Sequence, residues 1–443
     1  MAAAPPSGLA PPVLKAATQR RSRFANIIGG SIGNLVEWFD WYVYSAFALY
    51  FAHAFFPKGD ATAQLLNTAA IFAVGFVMRP IGAWLMGIYA DHKGRKAGLT
   101  LSVSLMCLGS LLIAVSPTYA QAGILSPATL LIARIIQGLS LGGEYGSSAT
   151  YLSEMADRER RGFWSSFQYV TIIGGQLIAL ALLVVLQVTL GENAMSAWGW
   201  RIGFAAGAVL AIVAYILRRR LDETLSYENL AAKGADRVRS TAKNLFRDYP
   251  REALLVMALT AGGTAAFYAY TIYMQKFLAN TAGFDRATAS RIMTVALATI
   301  LLLCPFAGRL SDRVGRKPLM IFFGVGATLF TYPIFATLEH THDAVVAFAL
   351  VMACLVIVTG YTSINAIIKA EMFPAHIRAL GVALPFAISN AIFGGTAEYV
   401  ALYLKNIGHE RWFYVYISAL AACSLVAYVR MRETKTTSLI EED

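Results

Sequence analysis

Charged residues are scarce in this chain. Asp, Glu, Lys and Arg make up 14% of its 443 residues, hydrophobic residues make up 57%, and the mean hydropathy is +0.56. A soluble domain carries about 25% charged residues, whereas a helix that crosses a membrane needs about 20 apolar residues. The composition therefore excludes a soluble globular domain and predicts an all-α membrane protein.

The chain also lacks the residue patterns of ATP-driven proteins and metal proteins. The phosphate-binding pattern G-x-x-x-x-G-K-[ST] is absent, and the six His are scattered without an H-E-x-x-H pair. The four Cys lie in apolar stretches without a paired spacing, which predicts free thiols: Cys107, Cys304, Cys354 and Cys423. We therefore expect no enzyme, no metal and no cofactor, and an ion gradient rather than ATP as the energy source.

Apolar stretches long enough to cross a bilayer occur twelve times. The predicted spans of the first half are 24–55, 64–90, 97–117, 127–154, 162–190 and 200–217. Those of the second half are 252–278, 287–311, 318–338, 344–372, 377–404 and 412–429. Many exceed 25 residues, so we expect tilted or kinked helices.

The segments between the spans give the predicted domain order. It is a disordered N-terminus (1–23), a six-helix half (24–221), a linker (222–251), a second six-helix half (252–433) and a tail (434–443). If both termini are cytoplasmic, most of the 37 Lys and Arg residues lie on the cytoplasmic side, as the positive-inside rule requires. The net charge of +11 thus predicts contact with lipid headgroups rather than nucleic acid. We expect an inner-membrane monomer.

One polar loop occurs in both halves. The stretch that begins at Gly87 and the stretch that begins at Gly308 both read G-x-x-x-D-x-x-G-R-K. A second pattern repeats at a similar offset, with a Glu followed by an Arg seven residues later: Glu154 with Arg161, and Glu371 with Arg378. An apolar chain of two similar halves predicts a transporter that rocks one half against the other.

These motifs resemble those of the major facilitator superfamily. The duplicated loop and the R-x-x-Q-G element from Arg134 to Gly138 carry the resemblance, and G-N-L-V-E-W-F-D from Gly33 to Asp40 narrows it to the metabolite:proton symporter family. The resemblance implies twelve helices in two pseudo-symmetric six-helix halves. Further stretches, such as M-R-P-I-G from Met78 and K-A-E-M-F-P from Lys369, are similar to members of that family that carry α-ketoglutarate.

The resemblance therefore implies proton-coupled import of α-ketoglutarate or a similar small dicarboxylate. Relatives that carry citrate, shikimate, or proline and betaine share the loop motifs and remain alternatives. The osmosensory proline/betaine members have a C-terminal coiled coil, and no heptad repeat occurs in the tail here. A uniporter or exchanger and a non-transporting sensor are the other classes considered.

Acidic residues in the first span are the candidates for proton coupling. Glu37 and Asp40 are three residues apart and share a helix face. The resemblance implies a pair between Asp40 and Arg134 of the fourth span. A guanidinium keeps a neighbouring carboxylate ionised, and separation of the two favours its protonation. The alternatives are a fixed structural salt bridge and a proton site at Glu37.

Basic residues within the spans are the candidates for substrate binding. Arg79 lies in the middle of the second span before Pro80, and Arg binds carboxylates bidentately. The alternative is an Arg that contacts helix-end carbonyls or a kink at Pro80. Lys276 is a second candidate, although a Lys near a span end more often snorkels outward. Gln168, Tyr268 and Tyr273 complete the predicted site, with interface anchoring as the alternative for each Tyr.

The duplicated loops are the predicted cytoplasmic gate. Asp91 and Arg95 are four residues apart and can pair across one helical turn. In the superfamily such loops latch the halves together, which the resemblance carries to Gly87, Asp91, Arg95, Glu154, Arg161, Gly308, Asp312, Arg316, Glu371 and Arg378. The alternative is a loop that only sets topology through its positive charge.

Overall fold

The protein is described by a computed structural model that covers most of the chain. It describes residues 12–57, 59–93, 95–142, 145, 149–150, 152–153, 156–219 and 242–440. Within these ranges, the side chains of residues 12–33, 87–88, 90–99, 217–219 and 376 lie outside the description. All structural statements below concern the described residues.

Twelve long helices, and no strand, run through the described residues. The first half contains α1 (Pro12–Phe55), α2 (Ala61–Lys93), α3 (Arg95–Val115), α4 (Leu125–Leu141), α5 (Arg161–Ala194) and α6 (Trp200–Arg219). The second half contains α7 (Pro250–Asn280), α8 (Arg286–Val314), α9 (Lys317–Leu338), α10 (Ala344–Glu371), α11 (Ile377–Asn406) and α12 (Arg411–Arg430). The predicted all-α fold with twelve spans is confirmed.

Two predicted boundaries differ from the structure. The first helix begins at Pro12 rather than at residue 24, so residues 12–23, predicted to be disordered, are helical. Leu, Lys, Ala, Gln and Arg in that segment are good helix formers, and Pro is tolerated at the first helical position. The predicted linker ends in a short helix, Ala242–Asp248, while residues 220–241 lie outside the description.

Two helix pairs join the halves. Helix α5 packs along α8, and α2 packs along α11. Within the halves, α1 packs on α5 and α6, and α7 packs on α12. Helix α1 carries several fully buried aromatic side chains. Those with essentially no exposed surface are Trp41, Tyr42, Tyr44 and Tyr50. This arrangement places α1 and α2 of one half against α7 and α11 of the other.

Three helices of the second half are interrupted. Helix α7 contains a π-helical turn at Ala269–Tyr273, and α11 contains one at Asn390–Gly394. The regular helix of α10 ends at Thr362 and resumes at Asn365. Such interruptions frequently accompany functional sites because they redirect neighbouring side chains.

Close approach of α2 and α4 depends on glycine. The sequence pattern of Gly138, Gly142 and Gly146 predicts a packing stripe, and the first two lie against α2. A Cβ at Gly138 would overlap the Gly75 carbonyl oxygen, and a Cβ at Gly142 would overlap that of Arg79. The backbones are therefore too close for any side chain at these two positions, whereas Gly146 lies outside the description.

We predict that Gly138→Ala destabilises the protein and that Gly174→Ala does not. The added methyl at Gly138 forces α2 and α4 apart, whereas at Gly174 it meets only two Leu methyl groups at 3.6 and 3.7 Å. Overpacking of this kind costs about 1–3 kcal/mol. Thermal unfolding in detergent should show a clear fall in Tm for Gly138→Ala alone. Equal Tm values for the two variants would contradict the packing role.

Candidate functional site between the two halves

A buried carboxylate in α1 is the centre of a polar network in the first half. Asp40 is 1% exposed and accepts hydrogen bonds from Ser110 of α3 and from Gln137 Nε2 of α4, the latter at 2.7 Å. Gln137 also accepts from Arg134 Nη1 at 2.8 Å through its Oε1. Gly207 of α6 permits this approach, since a Cβ there would lie 2.5 Å from Asp40 Oδ1.

The predicted direct pair between Asp40 and Arg134 is not formed. Gln137 lies one turn after Arg134 on the same face of α4, and its amide connects the carboxylate to the guanidinium. The guanidinium instead packs on aromatic faces, 3.7 Å from the Trp41 ring centroid and 4.4 Å from that of Tyr44. The two charges are therefore coupled through an amide, and the predicted coupling role stays a prediction.

Glu37 is also buried. It is 2% exposed, and its Oε1 has no hydrogen-bond partner. Neighbouring Asn34 donates to Thr171 of α5 at 2.7 Å. Glu37 and Asp40 thus both carry carboxylates into the interior of the first half, and both stay candidates for the proton site.

Arg79 lies where the two halves meet. Its guanidinium packs on Trp41 and Phe76, at 4.2 and 4.1 Å from the ring centroids. It also interacts electrostatically with Tyr268 of α7. Arg79 is 8% exposed, and neither its Nε nor its Nη2 has a hydrogen-bond partner, nor does the Tyr268 hydroxyl.

The alternatives for Arg79 find little support in its contacts. Neither Nε nor Nη2 donates to a helix-end carbonyl, and α2 continues through Pro80 to Lys93. The Trp41 ring contacts the guanidinium groups of both Arg79 and Arg134. Two guanidinium groups therefore share one aromatic ring, and Arg134 is linked to the Asp40 carboxylate through Gln137.

A polar and aromatic cluster from both halves lies at the same interface. Asn365, at the restart of α10, donates to the hydroxyls of Tyr169 at 3.0 Å and Tyr145 at 3.2 Å. Its own Oδ1 and the hydroxyl of Tyr361 have no hydrogen-bond partner. Gln168, predicted to bind substrate, is fully buried beside Tyr169. The sequence prediction did not include Asn365.

The position of Lys276 near a span end favours a side chain that snorkels outward. In the structure, Lys276 is buried instead. Its Nζ lies 2.7 Å from Glu398 Oε1 of α11 and donates to Ser45 of α1 at 2.6 Å. Both charged side chains are nearly fully buried, at 1% and 4% exposure. The pair satisfies Lys276 internally and ties α1 of one half to α7 and α11 of the other. Glu398 was missed, although an acidic residue within an apolar span is itself a signal.

Further contacts close the outer end of the interface. The Tyr42 hydroxyl donates to the Thr271 carbonyl at 2.8 Å. Tyr273, predicted to bind substrate, instead donates to Glu410 at 3.1 Å and packs on Phe413. Its hydroxyl is therefore used within the second half, which does not fit the predicted substrate role.

An open vestibule of about 710 Å³ lies outside these contacts. It is lined by residues at the ends of α1, α2, α5, α7 and α8 and in the connection between α7 and α8: Leu49, Ala52, His53, Ala61, Gln64, Leu65, Glu192, Ala279, Asn280, Phe284, Asp285, Arg286 and Ala287. Asp285 caps α8, and the hydrogen bonds from Thr288 lower the pKa of this carboxyl.

The second copy of the duplicated loop forms a contact between the halves at the opposite end. Asp312 accepts from the backbone N–H groups of Gly162 and Phe163 at 2.7 and 2.9 Å. These N–H groups belong to the first turn of α5, where a carboxylate is favoured. Arg316 pairs with Asp312 at 2.8 Å and with Glu371 at 3.5 Å. The contact has the geometry of the predicted latch.

The other predicted gate residues are only partly described. Gly308 packs against Gly162, where a Cβ on either would overlap the other helix. Arg161 is buried and interacts with Glu371, and Arg378 donates to the Phe373 and Leu439 carbonyls at 3.0 and 2.8 Å. The predictions for Glu154 and for the side chains of Gly87, Asp91 and Arg95 lie outside the described residues.

The tail packs over this gate. Glu433 accepts from the backbone N–H groups of Arg316 and Lys317 at 2.8 and 2.9 Å, which caps α9. Thr434 donates to Glu371 at 2.6 Å. The described part of the tail thus stabilises the half of the gate that carries Asp312.

The sequence of this chain is similar to one known protein family and to individual transport proteins within reach of sequence comparison. The family of sugar (and other) transporters matches residues 27–443. The chain is 54% identical over 416 residues to a protein of Escherichia coli (strain K12) named alpha-ketoglutarate permease, which covers 94% of this chain and 95% of that protein. It is 31% identical over 417 residues to the citrate-proton symporter of Klebsiella pneumoniae, with 94% and 93% covered.

A solved structure supports the fold. The chain superposes on the xylose transporter XylE from E. coli, in a partially occluded inward open conformation, with a TM-score of 0.73. The match covers 93% of this chain and 98% of that one, at 18% identity. At that identity the likeness shows the fold alone.

We predict that Asp312→Asn loosens the cytoplasmic contact between the halves. The amide cannot pair with Arg316 or bind both α5 N–H groups, and hydrogen bonds to charged groups contribute about 1.5–3 kcal/mol each. A Cys in place of Ser166, which lies against Gly308, should react about tenfold faster with a maleimide in inside-out vesicles of a Cys-free background. Uptake should fall while membrane insertion stays normal.

The matched control is Asp343→Asn. Asp343 also binds backbone N–H groups, those of Val345 and Val346, but at the start of its own helix. Its substitution should leave the labelling rate at position 166 unchanged. Equal labelling in both variants would contradict the latch at Asp312.

Proposed function

We propose that this chain, which belongs to the family of sugar (and other) transporters, imports α-ketoglutarate or a similar small dicarboxylate together with protons. The observation that carries the substrate class is Arg79, a buried cation at the contact of the halves with unused donors on Nε and Nη2. A guanidinium with free donors matches a carboxylate bidentately. The named activity of the 54% identical relative supports the same substrate.

Transport is proposed to proceed by alternating access. The outer contact at Lys276, Glu398 and Ser45 and the inner contact at Asp312 and α5 join the same two halves at opposite ends. Opening one contact while the other holds gives access to one side only. Substrate then binds between the halves, beside Arg79.

Protons are the proposed coupling ion. In the network of Asp40, Gln137 and Arg134, the amide of Gln137 stabilises the ionised carboxylate on one side and the guanidinium on the other. A movement of α4 relative to α1 breaks this link and leaves Ser110 of α3 as a donor to Asp40, and a buried carboxylate with fewer donors favours its protonated form. Glu37 is the alternative proton site.

The proposed setting is the inner membrane. The placement of basic residues supports cytoplasmic termini, and the basic runs at 20–21 and 218–220 are then close to anionic lipid headgroups. The two halves within one chain form a complete pathway, so a monomer is the proposed functional unit.

The substrate prediction is tested by counterflow in proteoliposomes. Unlabelled α-ketoglutarate should displace labelled α-ketoglutarate better than citrate, shikimate, proline, betaine or glucose, because Arg79 favours an anion and the relative favours this one. Arg79→Gln should reduce exchange by at least tenfold, since a charge-assisted hydrogen bond is lost. Best competition by an uncharged solute would contradict the proposal.

The proton prediction compares two carboxylates. Asp40→Asn keeps the shape of the side chain but removes its titratable group, so uphill accumulation should stop while counterflow persists. Glu37→Gln should retain accumulation. Uptake driven by an imposed pH gradient, with and without an uncoupler, measures both. If Asp40→Asn still accumulates substrate and Glu37→Gln does not, the proton site is Glu37.

A further inference from the structure

Lys369 is a second buried cation whose charge no described group offsets. It lies in the last turns of α10 and is 1% exposed. Its Nζ has no hydrogen-bond partner, and no described carboxylate lies within ion-pair distance of it. The ammonium instead packs on aromatic rings, 3.9 Å from the Phe386 centroid and 5.6 Å from that of Tyr145.

Aromatic contacts alone do not offset this burial. A cation–π contact contributes about 2 kcal/mol when desolvated, whereas burial of an ion costs several kcal/mol even after relaxation. An ammonium carries three donors and no acceptor, and all three are unused here. Lys276, by contrast, binds Glu398 and Ser45. Lys369 therefore has the environment of a group that receives an anion.

The Lys369 ammonium contacts the rings of Phe386 in α11 and Tyr145. Cα–Cβ bonds in a helix tilt towards its N-terminus, which in α10 is the direction away from the cytoplasmic gate at Glu371. Asn365 lies one turn back on the same face. Asn365 donates to the Tyr145 hydroxyl, and the Lys369 ammonium lies over the Tyr145 ring, so both side chains reach the same Tyr.

A continuous set of side chains connects Lys369 to Arg79. Asn365 binds both Tyr145 and Tyr169. Tyr169 packs edge-on against Phe267, whose neighbour Tyr268 interacts with Arg79. One unpaired cation from each half thus lies at either end of a cluster that carries several unused polar atoms, on Asn365, Tyr361 and Tyr268.

We propose that Lys369 binds the distal carboxylate of the transported dicarboxylate while Arg79 binds the carboxylate next to the keto group. This assignment rests on the proposed function and deepens it. Arg79 belongs to the first half and Lys369 to the second, so a dianion contacts both halves at once. A ligand that binds one conformation more tightly shifts the population towards it. The second carboxylate therefore stabilises the closed state, and a monocarboxylate does not.

The role differs from that of the gate two residues further on. Glu371 is held by Arg316 at 3.5 Å and by Thr434 at 2.6 Å, and Lys369 takes no part in those contacts. A purely structural Lys369 would affect all ligands alike. A carboxylate-binding Lys369 affects only ligands that carry the second carboxylate.

The test pairs one substitution with two ligands. Binding of α-ketoglutarate and of 2-oxopentanoate, which has a methyl group in place of the distal carboxylate, is measured by calorimetry on purified protein in nanodiscs. Lys369→Gln should weaken α-ketoglutarate binding about 30-fold, the loss of a charge-assisted contact, and change 2-oxopentanoate binding less than threefold. Lys369→Arg should retain most of the preference for the dicarboxylate.

Lys405→Gln is the matched control. Lys405 is another Lys of the second half, but it already donates to the Asn280 carbonyl and to Thr281. Its substitution should leave the ratio of the two affinities unchanged. An equal loss for both ligands in Lys369→Gln, or no loss for α-ketoglutarate, would overturn the assignment.

The wild type separates failure of this assignment from failure of the proposed function. If the wild type binds another dicarboxylate, such as succinate, in preference to α-ketoglutarate, the substrate identity is wrong. The same comparison with butyrate then tests Lys369: loss of the preference for succinate in Lys369→Gln supports the assignment, and its retention overturns it. If the wild type binds no dicarboxylate, both proposals fail.

Discussion

The cost of placing a charge in an apolar interior is the constraint on which this structure depends. The protein buries Arg79, Arg134, Lys276 and Lys369 among helices that are mostly apolar. Lys276 is offset by Glu398 and Arg134 by the amide that leads to Asp40. Arg79 and Lys369 pack on aromatic faces, and no described carboxylate pairs with either. The difference between offset and unoffset cations separates groups that hold the protein together from groups that are available to an anion.

The buried charged residues that have a partner of opposite charge lie at the contacts between the halves. In the proposed transport cycle, these contacts open. The Lys276–Glu398 pair joins α1, α7 and α11 at one end of the interface, and Asp312 joins the start of α5 at the other end. Each contact is polar, so water can replace its hydrogen bonds when the halves separate, which offsets part of the free energy that is lost. The apolar surfaces of α5 and α8 provide the continuous contact between the halves. A polar contact at each end of an apolar seam suits a protein that opens at one end at a time.

Spacing along the chain indicates contacts within one helix, such as the ion pair in the gate. It does not indicate the contacts between helices that form the site. Asp312 and Arg316 have the same four-residue spacing as Asp91 and Arg95 in a motif that occurs twice, and they form an ion pair. The expected direct contact between Asp40 and Arg134 is not formed. Gln137, one turn after Arg134 on the same helix, binds the Asp40 carboxylate instead.

Long-range partners were invisible in the sequence. The sequence position of Lys276 favours a side chain that snorkels outward. The fold instead brings Glu398 of α11 beside it. Lys369 lies near a span end, where Lys is common, and only tertiary packing shows that its ammonium is enclosed.

A structure determined with bound α-ketoglutarate tests the central claim most directly. The account predicts one carboxylate within about 3 Å of Arg79 and the other within about 3 Å of Lys369 Nζ; a substrate that contacts neither cation would contradict it.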